Sequence, residues 1–462
     1  MPQRDGVNFA HENMTWLLKH RSGPALNVHF HDFNRLLSDD SYAVEMLANA
    51  DCVVSNVGPH AHYYFYLREH LRLSYRIVRD VHTALWSGYL FQEFLCHPFL
   101  RYDDTLLVPS RYARGVFEAI FPGLKHFPSL LSHPLAVCFP ERERILSKRS
   151  RNTDADLILG YLGRISEDKN FPDLVRLLIE LNQETKSLSS RRYRLFACGH
   201  NHSSSCEPHL VDQMLVQALG ISDVYSYSPA RSSAEIWDFL ARIDVLLFPT
   251  TSNLETLGRV LIEASYAGLP VICSDHAAAS ELIEPEYLCP VQYRRGLVYS
   301  CHSDHSLGSV DLEWMKRCLL ERELKPTTCY ESYLCHPDRL IDALSTTGSE
   351  LRTLCEPLVL AESQHAFIRS IAISMPSFAH RPSESLGLIA SLIPWFLGLQ
   401  GLVPAVSRKN WIQRLVGLTA HPVRTARFIE RTRNTSQDFT DVGAIDIELC
   451  NVANFLPTFS LD

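Results

Sequence analysis

The feature that most constrains the fold is an alternation of short apolar runs with amphipathic segments, which occurs twice along the chain. In the first half, runs typical of buried strands lie at 26–30, 51–55, 75–81 and 105–109. In the second half, similar runs lie at 157–162, 193–198, 244–249 and 270–274. Segments with helical spacing separate these runs. Because strands that alternate with helices at this spacing build βαβ units, we predict two doubly wound α/β units with parallel sheets.

The length of the chain and one polar stretch predict the domain boundaries. With 462 residues the chain is long enough for two to three domains. The stretch 141–154 is charged and polar, and we interpret it as a linker. We therefore predict a first Rossmann-like domain at 1–140 and a second at 155–375. A mostly helical C-terminal extension is predicted at 376–462.

Charge and cysteine usage exclude several classes of protein. Acidic residues (52) outnumber basic ones (44), which argues against a generally basic nucleic-acid-binding protein. The 13 cysteines are too dispersed for a disulfide framework of the kind found in small secreted domains. The first residues lack the basic and then apolar pattern of a signal peptide. We therefore expect a cytoplasmic protein with no nucleic-acid partner.

An uncharged apolar segment near the C-terminus leaves two interpretations open. Residues 385–406 carry no charged side chain and are long enough to span a bilayer. Pro394 and Pro404 argue against one straight helix, which favours a buried helical hairpin. The arginine-rich stretch 411–433 fits a helix pair packed on the first domain or on anionic lipid. Peripheral membrane contact through 385–433 on the cytoplasmic face is therefore the alternative.

The loop 163–170 follows the first strand of the second domain and carries two cations. Arg164 and Lys169 lie at the carboxyl end of a predicted parallel strand, where open α/β sheets bind ligands. The guanidinium fork of arginine and the point charge of lysine suit a diphosphate. An ordinary solvated loop is the alternative interpretation.

A second polar loop, 249–258, leads into a helix predicted at 256–267. The backbone N–H groups of a first helical turn attract an anion, and Gly258 permits close approach of a ligand. Glu255 lies at the mouth of this loop, and Glu263 lies just over two turns further along. Carboxylates at these positions can accept hydrogen bonds from the hydroxyls of a sugar or ribose. A helix-capping acid and an exposed helix charge are the respective alternatives.

The order of these motifs resembles one known family. After the two loops, Gly268 and Pro270 end a helix and begin a buried strand, and Glu281-Leu282-Ile283 follows. This order resembles the C-terminal domain of the retaining GT-B glycosyltransferases of family 4, over about residues 157–300. The resemblance implies the GT-B fold, in which two Rossmann-like domains face a cleft. It also implies that the second domain binds the donor and the first binds the acceptor.

The resemblance implies donor-binding roles for eight residues, which are Arg164, Lys169, Gly199, Glu255, Thr256, Leu257, Gly258 and Glu263. Arg164 and Lys169 would hold the donor diphosphate, and Glu263 would bind the ribose hydroxyls. Glu255 would bind the donor sugar, beside the backbone N–H groups of Thr256 to Gly258. Residues around Gly199 would lie beside the base.

The chemistry implied by the resemblance is transfer of a sugar from a nucleotide-sugar donor, with retention at the anomeric carbon. The acceptor stays open among a glycan, a lipid-linked molecule and a small molecule. No cofactor and no metal are expected, because an arginine, a lysine and a helix dipole can take the charge of the leaving diphosphate. The alternatives are a GT-B phosphorylase or epimerase, and a degenerate transferase that acts as a partner or scaffold.

The first domain matches the family less well. Asp80-Val81-His82-Thr83 resembles a strand-end histidine of the family, so we expect His82 and Glu255 to be the catalytic residues. A packed histidine at the domain interface is the alternative. Ser110 is expected to cap a helix. The usual leading strand is expected to be lost, replaced or truncated, because only four residues precede the loop-like residues 5–7.

Three clusters contain residue types that bind metals, but their spacing argues against a metal site. Residues 198–206 carry cysteines and histidines without a standard zinc spacing, and 29–32 alternates along a predicted strand end. Residues 154–156 precede a strand, so they cannot reach a ligand at its carboxyl end.

Overall fold

The computed structural model describes residues 6–374 with gaps at 22–25, 33–34, 37–38, 56–60, 62–63, 66, 69–70, 83–92, 94–95, 97–99, 122–129, 133–138, 150–155, 186–191, 230–231, 295–305, 332–340, 342–343 and 347–356. The leading segment 1–5, the C-terminal extension 376–462 and the membrane contact predicted at 385–433 lie outside the described residues. None of the described helices is long and apolar enough to cross a membrane.

The first unit contains three described helices and four strands. The helices are α1 (Gly6–Arg21), α2 (Asp40–Leu47) and α3 (Arg111–Ile120). The strands are β1 (Cys52–Ser55), β2 (Arg76–Asp80), β3 (Thr105–Val108) and β4 (Leu130–Ser132).

The four strands of the first unit form one parallel sheet in the order β1-β2-β3-β4. The strand predicted at 26–30 is wrong, because these residues form no strand. Leu26 and Val28 instead pack against a buried apolar cluster that includes Val78 of β2 and Leu107 of β3. Hydrophobic burial thus explains their apolar alternation, and β1 and β4 are the edge strands of this sheet among the described residues.

The second unit contains eight helices and eight strands among the described residues. The helices are α4 (Arg142–Leu146), α5 (Phe171–Thr185), α6 (Pro208–Leu219), α7 (Ser233–Leu240), α8 (Arg259–Tyr266), α9 (Ala279–Leu282), α10 (Leu312–Glu321) and α11 (Glu362–Ser374). The strands are β5 (Leu157–Leu162), β6 (Tyr193–Cys198), β7 (Tyr225–Ser228), β8 (Val245–Phe248), β9 (Val271–Ser274), β10 (Leu288–Cys289), β11 (Val291–Tyr293) and β12 (Gly308–Val310). Short 3₁₀ turns lie at Glu167–Lys169, Ser204–Cys206 and Pro285–Tyr287.

The main sheet of the second unit has the doubly wound order. Its six strands are parallel and lie in the order β10-β9-β8-β5-β6-β7. The chain first builds outward from β5 to β7 and then returns to the other side of β5, at β8. Right-handed crossovers place the connecting helices of the two directions on opposite faces of the sheet. The carboxyl ends of β5 and β8 therefore flank the point where such sheets bind ligands.

Burial explains why these segments form their elements. All four residues of β8 are buried, as expected for a central strand covered on both faces. In α5, buried Leu174, Leu177, Leu178 and Leu181 recur at helical spacing and form the apolar side of the helix. Each such side chain stabilises the fold by about 1.5–3 kcal/mol relative to an exposed one.

The helix that follows β8 is shorter than the sequence predicts. We expected it at 256–267, but α8 begins at Arg259, because Gly258 before it has a left-handed backbone with a φ of 76°. The helix ends at Tyr266, and Gly268 adopts a φ of 74° while Leu269 N–H donates to the Ala264 carbonyl. This is a glycine-terminated helix end.

The two units are in contact. A single cluster of buried apolar side chains includes Val116 and Phe117 of α3 together with the core of the second unit. The returning helix α11 places Phe367 beside Tyr112 of α3, with ring centroids 6.2 Å apart. The prediction of two α/β units with parallel sheets is therefore confirmed. The described strands show the doubly wound order only in the second unit.

Candidate functional site

The loop after β5 is held together by a buried carboxylate. Asp168 accepts a hydrogen bond of 2.5 Å from the Ser166 hydroxyl. It also forms an ion pair with Arg164, whose Nη2 lies 2.7 Å from Asp168 Oδ2. The side chain of Arg164 is 22% exposed, whereas that of Asp168 is 7% exposed. The carboxylate thus fixes one edge of the guanidinium while part of the side chain still faces solvent.

The loops after β5 and β8 are bonded to each other at this edge of the sheet. The Ser252 hydroxyl donates to Asp168 Oδ2 at 2.9 Å. The amide of Asn170 donates to the Pro249 carbonyl at 2.9 Å and contacts Thr251 Oγ1 at 3.0 Å. Asn170 has a φ of 56°, a left-handed conformation that asparagine tolerates better than most residues. The two predicted ligand-binding loops therefore form one connected polar surface.

Two of the predicted donor-binding residues pair with each other. Lys169 Nζ lies 2.5 Å from Glu255 Oε2, and the two side chains are 12% and 15% exposed. Glu255 is not the capping acid considered as the alternative, because α8 begins four residues later. A diphosphate that approached Lys169 would have to exchange with the Glu255 carboxylate, which would then be released to accept hydrogen bonds from hydroxyl groups.

Glu263 is buried and paired. Its Oε1 accepts from Arg259 Nε at 2.8 Å, one turn earlier on α8, and its side chain is 5% exposed. The alternative of an exposed helix charge is therefore excluded. Thr256 and Leu257, which lie between Glu255 and Gly258, are also buried.

Gly199 lies where the loops after β5 and β6 approach each other closely. Its φ is 152°, and a Cβ atom on it would lie 1.8 Å from the Gly163 carbonyl oxygen. The Ile165 N–H also donates to the His200 carbonyl at 2.8 Å. Close backbone packing accounts for this glycine, and its proximity to a base stays a prediction.

His82 is buried beside a carboxylate of its own strand. Its Nε2 lies 2.9 Å from Asp80 Oδ2, and both side chains are less than a tenth exposed. The His82 carbonyl accepts a hydrogen bond of 3.1 Å from the Thr256 hydroxyl. The structure thus brings the strand end of His82 against the loop of Glu255, as the packed-histidine alternative and the catalytic interpretation both require.

Ser110 confirms its expected capping role and makes a second contact between the units. Its Oγ accepts from the Ala113 N–H at 3.1 Å, which caps α3. The same hydroxyl donates to the Thr256 carbonyl at 2.9 Å. The Ser110 side chain therefore caps the start of a helix in the first unit and binds a loop of the second unit.

Glu281 is a further residue that joins the units. Its carboxylate accepts from the Tyr112 N–H at 2.7 Å and the Arg111 N–H at 3.0 Å, at the start of α3. Gln364 of α11 donates to the same carboxylate at 3.0 Å. A negative charge at a helix N-terminus is favourable, so Glu281 stabilises the contact between units.

His276 lies beneath the loop after β8. Its Nε2 donates to the Ser252 carbonyl at 3.1 Å, and its Nδ1 lies 3.1 Å from the Tyr293 hydroxyl. Burial is the main cause that lowers the pKa of His276 to about 4. The neutral imidazole therefore supports Ser252, which in turn binds Asp168.

The sequence interpretation missed the residues that organise this site, which are Asp168, Asn170, Ser252, His276 and Glu281. Three of them lie inside the loops that were singled out, and their polarity at strand ends was the available signal. Glu281 was noted only as part of a pattern. His276 follows a buried strand, and nothing in its neighbours along the chain predicts its contacts.

No group of three or more histidine, cysteine or acidic side chains that could hold a metal ion occurs among the residues that the structure describes. The predicted catalytic and donor-binding side chains instead offer cations, carboxylates and backbone N–H groups. This combination is chemically suited to an anionic ligand that carries hydroxyl groups.

Part of the chain matches a protein-family model. Residues 142–315 match the model of the family described as glycosyl transferases group 1, which is less than half of the chain. The match begins at the first residue of α4 and includes both polar loops.

A curated relative has detectable sequence identity to about half of the chain. The D-inositol 3-phosphate glycosyltransferase of Gordonia bronchialis is 24% identical over 255 residues, which is 55% of this chain. The aligned region spans 48% of that relative, so the chain covers about half of its length.

Similar solved structures cover more of the chain at lower identity. The structure of HepE from Anabaena in complex with UDP-glucose covers 81% of this chain and 96% of its own, with 14% identity and a TM-score of 0.45. The pneumococcal O-GlcNAc transferase GtfA in complex with UDP and GlcNAc covers 75% of this chain and 59% of its own. Its identity is 14% and its TM-score is 0.42.

Proposed function

We propose that this protein is a glycosyltransferase that moves a sugar from a nucleotide-sugar donor to an acceptor hydroxyl. The observation that carries the proposal is the joined pair of loops after β5 and β8, which brings Arg164, Lys169 and Glu255 to the switch point of the second sheet, with Glu263 on the helix that follows. The match to the glycosyl transferases group 1 family spans these same loops.

The proposed roles follow from the charge of each group. Arg164 and Lys169 hold the donor diphosphate, and Lys169 exchanges Glu255 for phosphate oxygen. Glu263 binds the ribose and Glu255 the sugar hydroxyls. Developing negative charge on the leaving diphosphate is then stabilised by two cations and the start of α8. This arrangement provides the electrostatic stabilisation without a cofactor or a metal.

The transfer step makes one bond to the anomeric carbon and breaks one. The acceptor oxygen bonds to the anomeric carbon, and the bond from that carbon to the donor phosphate oxygen breaks. The proton of the acceptor hydroxyl passes to the leaving phosphate or to His82, whose Nε2 lies 2.9 Å from Asp80 Oδ2. We place the protein in family 4, whose chemistry retains the anomeric configuration.

We also propose acceptor classes and a cellular location for this protein. A small phosphorylated polyol is one acceptor class to test, since the curated relative carries the name of an inositol phosphate glycosyltransferase. A glycan or a lipid-linked acceptor is the other class, which would place the protein in polysaccharide or glycoconjugate biosynthesis. We propose a cytoplasmic protein that contacts the membrane surface through 385–433 when the acceptor is lipid-linked.

The direct test is slow hydrolysis of nucleotide sugars without an acceptor, followed by proton NMR. UDP-, GDP-, ADP- and dTDP-glucose are incubated with the protein, and the anomer formed first is recorded. We expect α-glucose first from one of these α-linked donors, and Lys169→Gln should reduce its rate at least about tenfold.

The matched control is Lys148→Gln, because Lys148 also forms an ion pair with a carboxylate, Asp238, at 2.6 Å. Its rate should equal that of the wild type. Formation of β-glucose first would contradict retention. Nucleotide binding without turnover of any donor, even with acceptors supplied, would instead favour the scaffold interpretation.

A further inference from the structure

Thr256 joins the Glu255 loop to the first unit through two hydrogen bonds. Its hydroxyl donates to the His82 carbonyl at 3.1 Å. Its own carbonyl accepts a hydrogen bond of 2.9 Å from the Ser110 hydroxyl. Thr256 is 8% exposed, so water competes little for either bond.

Both partners of Thr256 are held by the first sheet. His82 lies two residues after the end of β2, and Ser110 lies two residues after the end of β3. The Ser110 hydroxyl also accepts from the Ala113 N–H, so its position is fixed by the start of α3. Thr256 therefore rests against two adjacent strand ends rather than against a free loop.

We propose that Thr256 is a positioning residue that holds Glu255 in register with His82 across the two units. This inference rests on the proposed function. When donor and acceptor are held by different units, the rate depends on the alignment of the reacting atoms, and small displacements are costly. A hydroxyl adjacent to Glu255 and bonded to the backbone of His82 sets this alignment directly.

A separate contact keeps the units together when the Thr256 hydroxyl is removed. The Glu281 carboxylate binds the N–H groups of Arg111 and Tyr112 at the start of α3. Apolar packing between α3 and α11 adds to this contact, since Leu360 and Ile368 lie against Gly115. Loss of the hydroxyl should therefore disturb alignment without separating the units.

The kinetic test compares three variants on the donor that the wild type hydrolyses. Thr256→Val keeps the branched shape and removes the hydroxyl, and we expect kcat to fall about tenfold. The dissociation constant of the matching nucleoside diphosphate should change less than about twofold. Thr256→Ser retains a hydroxyl and should restore most of kcat.

Thr185→Val is the matched control, because the Thr185 hydroxyl is also buried and donates to a backbone carbonyl, that of Leu181 at 2.7 Å. It lies at the end of α5 and should leave kcat unchanged. Equal kcat in Thr256→Val and wild type would overturn the inference. Failure of Thr256→Ser to restore kcat would do the same.

Amide hydrogen exchange of the unliganded protein separates this inference from the proposed function. Thr256→Val should speed exchange in peptides that contain 80–82 and 254–258, and Thr185→Val should not. Unchanged exchange in Thr256→Val would overturn the alignment role. A wild type that neither binds nor hydrolyses any nucleotide sugar would overturn the proposed function, while the exchange result would still decide whether Thr256 aligns the units.

Discussion

At the scale of single residues, His276 shows how a buried group can support a site that it does not enter. It donates to the Ser252 carbonyl, and the Ser252 hydroxyl binds Asp168, which pairs with Arg164. The Tyr293 hydroxyl faces the other ring nitrogen of His276, and the Phe367 ring packs edge-on against the imidazole with ring centroids 5.6 Å apart. The charge of Glu255 raises the pKa of His276, and the charge of Lys169 lowers it. Protonation of His276 would place a charge in this buried network, where burial disfavours the charged imidazole.

This burial makes the stability of the protein depend on pH. The pKa of His276 falls from 6.5 to about 4 in the folded protein, so below pH 6.5 the unfolded chain binds a proton that the folded protein does not. His276 therefore lowers the free energy of unfolding as pH falls from about 6.5 to about 4, by up to about 1.4 kcal/mol per pH unit.

Denaturant unfolding of wild type and His276→Asn at several pH values measures this effect. Carboxylates also titrate in this range, so the difference between the two proteins is the relevant quantity. The difference should shrink as the medium becomes more acidic, since only the wild type loses the contribution of His276. Parallel pH profiles would contradict a neutral buried histidine.

The sequence predicted which residues belong to the site better than it predicted which residues they contact. Arg164, Lys169 and Glu255 were singled out as charged side chains in loops after predicted strands, and Glu263 as a carboxylate further along the helix that follows. Their pairings were not predictable, because Lys169 and Glu255 come together only through the order of the strands. Local sequence patterns do not predict contacts between residues that lie far apart in the chain. The Arg259–Glu263 pair, in contrast, lies within one turn of a helix.

At the scale of elements, the ends of β5 and β6 pack so closely that one position requires glycine. A Cβ atom on Gly199 would lie 1.8 Å from the Gly163 carbonyl, and its φ of 152° is unfavourable for other residues. Gly220 at the end of α6 also has a positive φ, of 68°, but nothing lies within 4 Å of a Cβ atom there.

This contrast predicts that substitution by alanine lowers the free energy of unfolding by different amounts at the two glycines. Gly199→Ala should lower the free energy of unfolding by at least about 3 kcal/mol, because strain and a backbone clash add together. Gly220→Ala should cost only about 1 kcal/mol, from left-handed strain alone. Thermal or denaturant unfolding of both variants measures the difference. Equal destabilisation would show that the loops after β5 and β6 do not pack as the structure places them.

Element boundaries were predicted well where an apolar run was continuous and poorly where a turn decided the outcome. The strands expected at 157–162 and 193–198 lie at Leu157–Leu162 and Tyr193–Cys198. Helix α8 begins three residues later than expected, because Gly258 takes a left-handed conformation that the sequence permits but does not require. The alternation at 26–30 reflects packing against a buried apolar cluster rather than pairing in the sheet.

At the scale of the whole molecule, the candidate site depends on two units that are joined at their strand ends. The contacts of Ser110 and Thr256 lie next to Glu255, and those of Glu281 lie at the start of α3. The sequence predicted two parallel α/β units, but it gave no information on these contacts. They join residues more than 140 positions apart, which no local pattern can specify.

The proposed function requires that the second unit binds a nucleoside diphosphate through the loops after β5 and β8. Glu263 is the most specific residue to test, because the chain contains a matched pair elsewhere. Arg259 and Glu263 lie 2.8 Å apart on α8, and Arg114 and Glu118 lie 2.9 Å apart on α3 with the same spacing of four residues. Glu118→Gln therefore controls for the loss of a helical ion pair.

The measurement is thermal unfolding of wild type, Glu263→Gln and Glu118→Gln with UDP, GDP, ADP, CMP and dTDP. A nucleotide at a hundred times its dissociation constant should stabilise the wild type by about 2.7 kcal/mol and raise its midpoint. We expect one diphosphate to do so for wild type and Glu118→Gln, and to do so far less for Glu263→Gln. A panel in which no nucleotide raises the wild-type midpoint, or in which Glu263→Gln responds like the wild type, would contradict the account.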